Sequence, residues 1–243
     1  MSALFEELDY CPTPIGALSL RRRRDLKLDV DVFEIKLGHE SLMSSLFTAS
    51  EIALARLGLA ALRGEGPFDV VVGGLGLGYT ASAVLEDANV RSLIVVDALA
   101  PVIEWHEKGL LPLGKTLTED WRCRFRHGDF FVFAASEAGF DADAPGRMFD
   151  AILVDIDHSP DFLLDPKNDA FYQPEGLRRL AAKLRPGGVF GLWSNELPDD
   201  AFVNCLVSVF ATARAEPVTF HNPLQDRPFT QTVYLAQTKS DLA

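Results

Sequence analysis

The chain has 243 residues, 48% of them hydrophobic and 24% charged, which suits one large domain, or one domain with a small appendage, with a sizeable core. With 23 basic and 35 acidic residues it carries a formal net charge of −12, a balance that repels nucleic acid and attracts cations. No apolar run approaches the ~20 residues that span a bilayer, no basic-then-apolar leader opens the sequence, and Cys11, Cys123 and Cys205 are too scattered for a disulfide framework or a metal knuckle, so the expectation is a cytoplasmic protein.

Residues 4–8 show a short helical pattern, followed by the turn-rich Cys-Pro-Thr-Pro-Ile-Gly ending at Gly16. The basic run Arg21 to Arg24 reads as a solvated stretch in an acidic chain. Val30, Val32 and Ile35 then alternate as in a strand, Gly38-His39 marks a turn, and residues 41–44 return, making a hairpin. Ile52, Leu54, Ala55, Leu57 and Leu59 place a helix over residues 48–61, which ends near the loop 64–67. That loop is the expected boundary between an N-terminal hairpin-and-helix appendage, residues 1–66, and a main domain, residues 67–243.

The main domain alternates strand and helix. Val70 to Val72 form a buried strand, followed by glycines at 73, 74, 76 and 78 and a helix over 79–86. A strand over 92–96 ends in Asp97, a helix over 101–108 follows, and a strand over 122–126 runs into His127-Gly128-Asp129. After a helix over 131–138, the apolar strand 149–154 ends in Asp155-Ile-Asp157-His158. A helix over 174–183, an exit turn at 184–188, a strand over 189–193, a helix over 201–210 and strands near 217–220 and 232–236 complete the chain. This pattern implies an α/β fold: a Rossmann-like, doubly wound, mostly parallel sheet with a terminal antiparallel pair, preceded by the small N-terminal β-hairpin.

In such sheets the ligand sits beyond the carboxyl ends of the strands. Gly73, Gly74, Gly76 and Gly78 let the chain leave its strand sharply and let a ligand approach the backbone without a Cβ in the way. A carboxylate at the tip of the next strand, Asp97, accepts hydrogen bonds from both hydroxyls of a ribose. The spacing Gly-x-Gly-x-Gly departs from the dinucleotide fingerprint and argues against NAD.

Asp129, Asp155, Asp157, His158, Asn195 and Glu196 fall on the same rim. A carboxylate there serves as general base for an amine or hydroxyl poised to attack, with Asp155 the first choice and Asp157 the second. His158 either orients substrate or caps the turn. Joint ligation of a metal by Asp155, Asp157 and His158 is awkward at one- and two-residue spacing on a turn, so no metal is expected. Glu51 either holds a distal ammonium or is an ordinary solvated helix position. Tyr172, Phe171 and Trp193 are either core or a wall for an aliphatic amine, and Trp105 and His106 belong to a helix.

These residues carry a resemblance. The chain resembles class I S-adenosylmethionine-dependent transferases, and within them spermidine synthase (polyamine aminopropyltransferase). The shared order is the glycine loop, Asp97, His-Gly-Asp129, the turn at Asp155, Ala170-Phe-Tyr172 and Leu-Arg-Pro-Gly-Gly188. The resemblance implies that Asp97 binds the ribose, that Asp129 accepts from the adenine amine and that Asp155 stands beside the attacking amine. It also departs from the family. The loop's acid is replaced by Gly76, the acid that methyltransferases carry before the loop is Val72, and Leu42-Met43 and Ala49-Ser50-Glu51 stand where the family places polyamine-holding Gln and Tyr.

The expected function is transfer of an aminopropyl group from decarboxylated S-adenosylmethionine to an amine, with Asp155 as base and Glu51 and Tyr172 on the acceptor. The alternatives are a small-molecule methyltransferase using S-adenosylmethionine and a nucleoside-binding scaffold without turnover. The expected partner is a small-molecule amine or another small acceptor, with no nucleic acid and no membrane; a homodimer is left open.

Overall fold

The computed structural model describes residues 4–13 and 15–240; Pro14, within the expected N-terminal turn, lies outside them. Four N-terminal strands, β1 (Phe5–Thr13), β2 (Gly16–Asp25), β3 (Val30–Leu37) and β4 (Glu40–Ser44), form an antiparallel sheet in the order β1-β2-β3-β4. The expected hairpin is therefore the β3–β4 half of a larger sheet, and residues 5–8 of the expected helical pattern are strand. The run Arg21 to Arg24 is not a solvated stretch. It is the ladder of β2, and its side chains meet acids on both neighbours: Glu7 at 3.2 Å, Glu6 at 2.7 Å and Glu34 at 3.0 Å. Such exposed pairs each contribute ~0–1 kcal/mol, but opposite charges across strands also discriminate against a shifted register.

Helix α1 (Ala49–Ala60) leads into the main sheet. The strands β5 (Phe68–Gly73), β6 (Val90–Asp97), β7 (Cys123–His127), β8 (Phe149–Val154), β9 (Leu184–Ser194), β10 (Thr212–Asn222) and β11 (Arg227–Gln237) pair in the order β10-β11-β9-β8-β5-β6-β7. Strands β7 through β9 are parallel, and β11 is antiparallel to both β9 and β10. A parallel strand covered on both faces reads as a continuous apolar run, which is why Val70, Val71 and Val72 are all fully buried. Alternation divides them between two cores. Val70 and Val72 join Leu54 and Leu153 on one face, while Val71 joins Ile152, Phe140 and Leu177 on the other.

Helices α2 (Tyr79–Leu85), α3 (Ala100–Glu107) and α4 (Gly114–Glu119) follow the β5 and β6 crossovers, and α5 (Phe130–Ala135), α6 (Asp169–Tyr172), α7 (Pro174–Ala181) and α8 (Asp200–Val207) follow the later ones. The short α4 and α6 had no sequence pattern to announce them. Helix α1, expected to go with the hairpin, packs on α2, β8, β9 and β11. The N-terminal sheet buries Leu18, Leu20 and Ile35 in the same core. Residues from both halves of the chain thus enclose one space above the carboxyl rim of the sheet. Among the described residues no helix is long and apolar enough to cross a membrane.

Candidate active site

The enclosed space is a cavity of about 750 Å³. The carboxyl ends of five strands supply its floor: Gly74 and Gly76 after β5, Asp97 on β6, Asp129 after β7, Asp155 after β8 and Asn195 after β9. Met43 of β4 and Glu51 of α1 close it from the N-terminal side.

The glycine loop is built around close approaches. Gly74 has φ +91°, and a Cβ there would stand 2.0 Å from the carbonyl oxygen of Asp155. Its N–H donates to the Val96 carbonyl at 2.8 Å while the Asp155 N–H donates to Gly73 at 2.8 Å, so the loop ties the ends of three strands together. At Gly76, φ +46°, a Cβ would meet the Met43 sulfur at 2.6 Å. That sulfur also accepts from the Leu77 N–H at 2.9 Å. From behind, His106 Nε2 donates to the Gly76 carbonyl at 2.9 Å, and burial holds this imidazole below its ordinary pKa. Gly73 and Gly78 do not line the cavity: Gly73 makes room for Phe130, and Gly78, at the start of α2, makes room for Leu117 and His106.

Asp97 both braces the loop and faces the cavity. Its Oδ2 accepts from the Leu75 N–H at 2.9 Å and its Oδ1 from the Leu99 N–H at 2.8 Å. Burial pushes its carboxyl upward against these bonds. Asp129 caps α5 through Oδ1, which accepts from Phe131 at 2.8 Å and Val132 at 3.3 Å, and it also lines the cavity. His127 lies outside, its Nε2 donating to the Ala98 carbonyl at 3.2 Å.

At the other end stand Asp155 and Glu51. Asp155 Oδ2 accepts from the Thr80 hydroxyl at 2.9 Å, and burial raises its pKa. Glu51 is only 6% exposed rather than solvated, and burial together with the charge of Asp155 raises its pKa strongly. Its Oε2 lies 2.8 Å from Ser50 Oγ, which accepts from Trp193 Nε1 at 2.8 Å and lies 2.6 Å from Gln231 Oε1. Gln231 in turn donates from Nε2 to Asn195 Oδ1 at 2.9 Å.

Asp157 and Tyr172 are brought together, but not in the cavity. Asp157 is 1% exposed and accepts from the Leu164 N–H at 2.7 Å, from Asn168 Nδ2 at 3.0 Å and from the Tyr172 hydroxyl at 2.8 Å. Both expected roles, second base and acceptor wall, are thus displaced: the apolar-run ending places Asp155 outward and Asp157 inward, where it fastens the loop that follows β8. His158 lines the cavity with its ring stacked on Phe162, centroids 4.8 Å apart, and its Nε2 2.8 Å from Glu40 Oε1. Asp155, Asp157 and His158 therefore do not converge on one point.

Charge decides what such a cavity takes. Of the basic side chains lining it, Arg23 is held by Glu34 and Asp25 and Lys167 by Asp165 at 3.0 Å, and the His158 ring is hydrogen-bonded to Glu40. Asp97, Asp129, Asp155 and Glu51 line it with no ion pair among the described residues. Sequence reasoning named Ser50 only as a departure from the family's polyamine-holding residues and did not find Thr80 or Gln231 at this site. Gln231 arrives through the β11–β9 register, which sets Thr232 opposite Ser194, and no local pattern announces it.

No protein-family model matches the chain. Among curated proteins, polyamine aminopropyltransferase 2 of Pseudomonas aeruginosa is 27% identical over 166 residues, a match covering 66% of this chain and 44% of that protein. The chain thus spans under half the length of this relative. Among solved structures, spermidine synthase from Thermotoga maritima superposes with a TM-score of 0.72 at 16% identity, covering 97% of this chain and 74% of that one. Human methyltransferase-like protein 13, in complex with SAH, gives 0.57 at 20% identity, covering 79% and 84%. The chain is thus similar in sequence to an aminopropyltransferase and in fold to spermidine synthase and to a methyltransferase-like protein, with the Rossmann-like sheet described above.

Proposed function

We propose that this protein transfers an aminopropyl group from decarboxylated S-adenosylmethionine to an amine acceptor. The observation that carries the reading is the charge of the cavity. Four acidic side chains, Asp97, Asp129, Asp155 and Glu51, face it without an ion pair among the described residues while Arg23 and Lys167 are each held by a neighbouring acid, so it suits a sulfonium donor and an ammonium acceptor. The relative's name, an aminopropyltransferase, points the same way. In this reading Gly74 and Gly76 admit the nucleoside to the backbone, with Gly73 and Gly78 shaping the loop, Asp97 takes the ribose hydroxyls and Asp129 the adenine amine.

The reaction is an in-line attack on the carbon beside the sulfonium. The N–C bond forms, the C–S bond breaks to leave neutral methylthioadenosine, and the ammonium proton passes to Asp155. An ammonium has no lone pair until a base removes a proton, and a positioned base contributes typically ~10²–10⁴-fold. Holding donor and acceptor together supplies most of the remainder. His158, with Glu40 and Phe162, orients the acceptor side of the cavity.

The test is transfer of a labelled group from decarboxylated and intact S-adenosylmethionine to a panel of amines. Aminopropyl transfer by the wild type is expected, falling ~10²–10⁴-fold in Asp155→Asn with methylthioadenosine binding retained. Methyl transfer from intact S-adenosylmethionine would replace this reading with a methyltransferase. Nucleoside binding without turnover on any acceptor would make the chain a scaffold.

A further inference from the structure

We infer that Glu51 is the second half of the amine site: in the empty protein it faces Asp155 as a carboxylic acid, and an incoming ammonium takes the place of its proton. The inference rests on the reading of the cavity as an amine-alkylating site and assigns a role that Asp155 alone does not fill.

Hydrogen-bond accounting around Ser50 supports it. The Ser50 hydroxyl has one proton but two neighbouring acceptors, Gln231 Oε1 at 2.6 Å and Glu51 Oε2 at 2.8 Å. Its lone pairs already accept from Trp193 Nε1. A proton on Glu51 Oε2 satisfies every atom. Glu51 donates to Ser50, Ser50 donates to Gln231, and Gln231 donates to Asn195. An ionised Glu51 would leave one of two buried acceptors without a proton, at a cost that buried polar groups rarely bear.

The charge surroundings agree. Around Glu51 stand Tyr79 and Thr80 of α2 and Asp155 after β8, and its partner Ser50 is held by Trp193 of β9 and Gln231 of β11, the latter bonded to Asn195. The titratable ones are Asp155 and Tyr79, and no cation among the described residues offsets the two carboxylates. Two like charges in one desolvated place do not both ionise readily, so the pair titrates as a unit. An ammonium between them changes that balance. Glu51 gives its proton to solvent, both carboxylates hold the cation, and Asp155 is left ionised, ready to take the ammonium proton as the N–C bond forms.

The experiment is calorimetry on the protein saturated with methylthioadenosine, titrated with 1,4-diaminobutane and with propylamine. It is run in phosphate and in Tris, whose different ionisation heats count protons, over pH 6.5 to 8.5. The wild type is expected to release close to one proton per amine at pH 7 and to tighten about tenfold per pH unit while Glu51 is protonated. Glu51→Gln keeps the neutral shape and a donor toward Ser50. It is expected to release no proton, to lose the pH dependence and to bind amine at least tenfold more weakly at pH 8. Glu51→Asp is expected to restore the pH dependence, and the wild-type proton count stands by itself should either variant fold poorly. Unchanged proton release in Glu51→Gln, no release in the wild type, or no amine binding by a wild type that binds methylthioadenosine overturns the inference. Absence of methylthioadenosine binding overturns the function reading instead.

Discussion

Replacing Asp97 by alanine tests the proposed nucleoside end of the cavity separately from the rest of the fold. The side chain accepts from the Leu75 and Leu99 N–H groups at 2.9 and 2.8 Å and keeps a face toward the cavity, where two ribose hydroxyls would reach it. Hydrogen bonds to a charged acceptor contribute ~1.5–3 kcal/mol each, so losing two costs the ligand ~3–6 kcal/mol. At ~1.4 kcal/mol per decade that is a ~10²–10⁴-fold weaker methylthioadenosine complex. The effect on stability is smaller, because water entering the cavity takes over the two freed N–H groups. A loss of ~1–2 kcal/mol lowers Tm by ~2–8 °C in a chain of this size. Calorimetry with methylthioadenosine reads the first effect and a thermal melt the second. Asp97→Asn, which retains one acceptor, is expected to fall between. An alanine variant that binds methylthioadenosine within threefold of wild type would refute the assignment of this rim to a nucleoside.

Asp157→Ala is expected to act on stability, since it strands the buried Tyr172 and Asn168 donors: ~3 kcal/mol and a Tm fall of ~6–12 °C, with an unchanged melt counting against the loop-fastening role. Gly74→Ala is expected to abolish methylthioadenosine binding, because its Cβ would overlap the Asp155 carbonyl; Gly38→Ala, also at positive φ but with nothing within 4 Å, is the mild control. Burial and the neighbouring Asp155 push the Glu51 carboxyl up from the ordinary 4.5 to about 8, so the stability it contributes is present below pH 4.5 and lost as pH rises through about 8. Wild-type Tm is therefore expected to fall from pH 5 to 8 more steeply than that of Glu51→Gln, with parallel melting curves as the contrary result.

The elements legible in the sequence are those whose surroundings are uniform. Val70 to Val72 and residues 149–154 read as buried parallel strands because both their faces are covered, and Asp97, Asp129 and Asp155 follow such strands, so the rim placed them. What stayed hidden depends on partners distant in the chain. The counter-ions of Arg21 to Arg24 lie on β1 and β3, and only strand pairing brings them alongside. Pro217 looked like the start of a strand, yet β10 begins at Thr212, because an edge strand tolerates a proline inside it. The turn expected at Leu184-Arg-Pro-Gly-Gly188 is already the beginning of β9. Asp157 and Asp155 are indistinguishable in one dimension. Their opposite fates follow from Asn168 and Tyr172, which claim Asp157 from below.

The contact of α1 with the sheet gives the two facing acids a mechanical coupling. Gly58 presses on the strand that carries Asp155: a Cβ at 58 would stand 2.6 Å from Leu153 Cδ2, and one at Gly191 on the neighbouring strand would meet both Leu153 and Leu54 at 2.8 and 2.9 Å. Glu51 lies seven residues before Gly58, on the same helical face and ~10 Å along the axis. The helix is thus a lever whose fulcrum is bare backbone against leucine, with the carboxylate at its far end. One methyl group inserted at the fulcrum tilts that end relative to Asp155 without touching any polar atom. A substitution at Gly58 that looks like simple overpacking is therefore expected to be read out as a change in the pH dependence of amine binding proposed for the cavity.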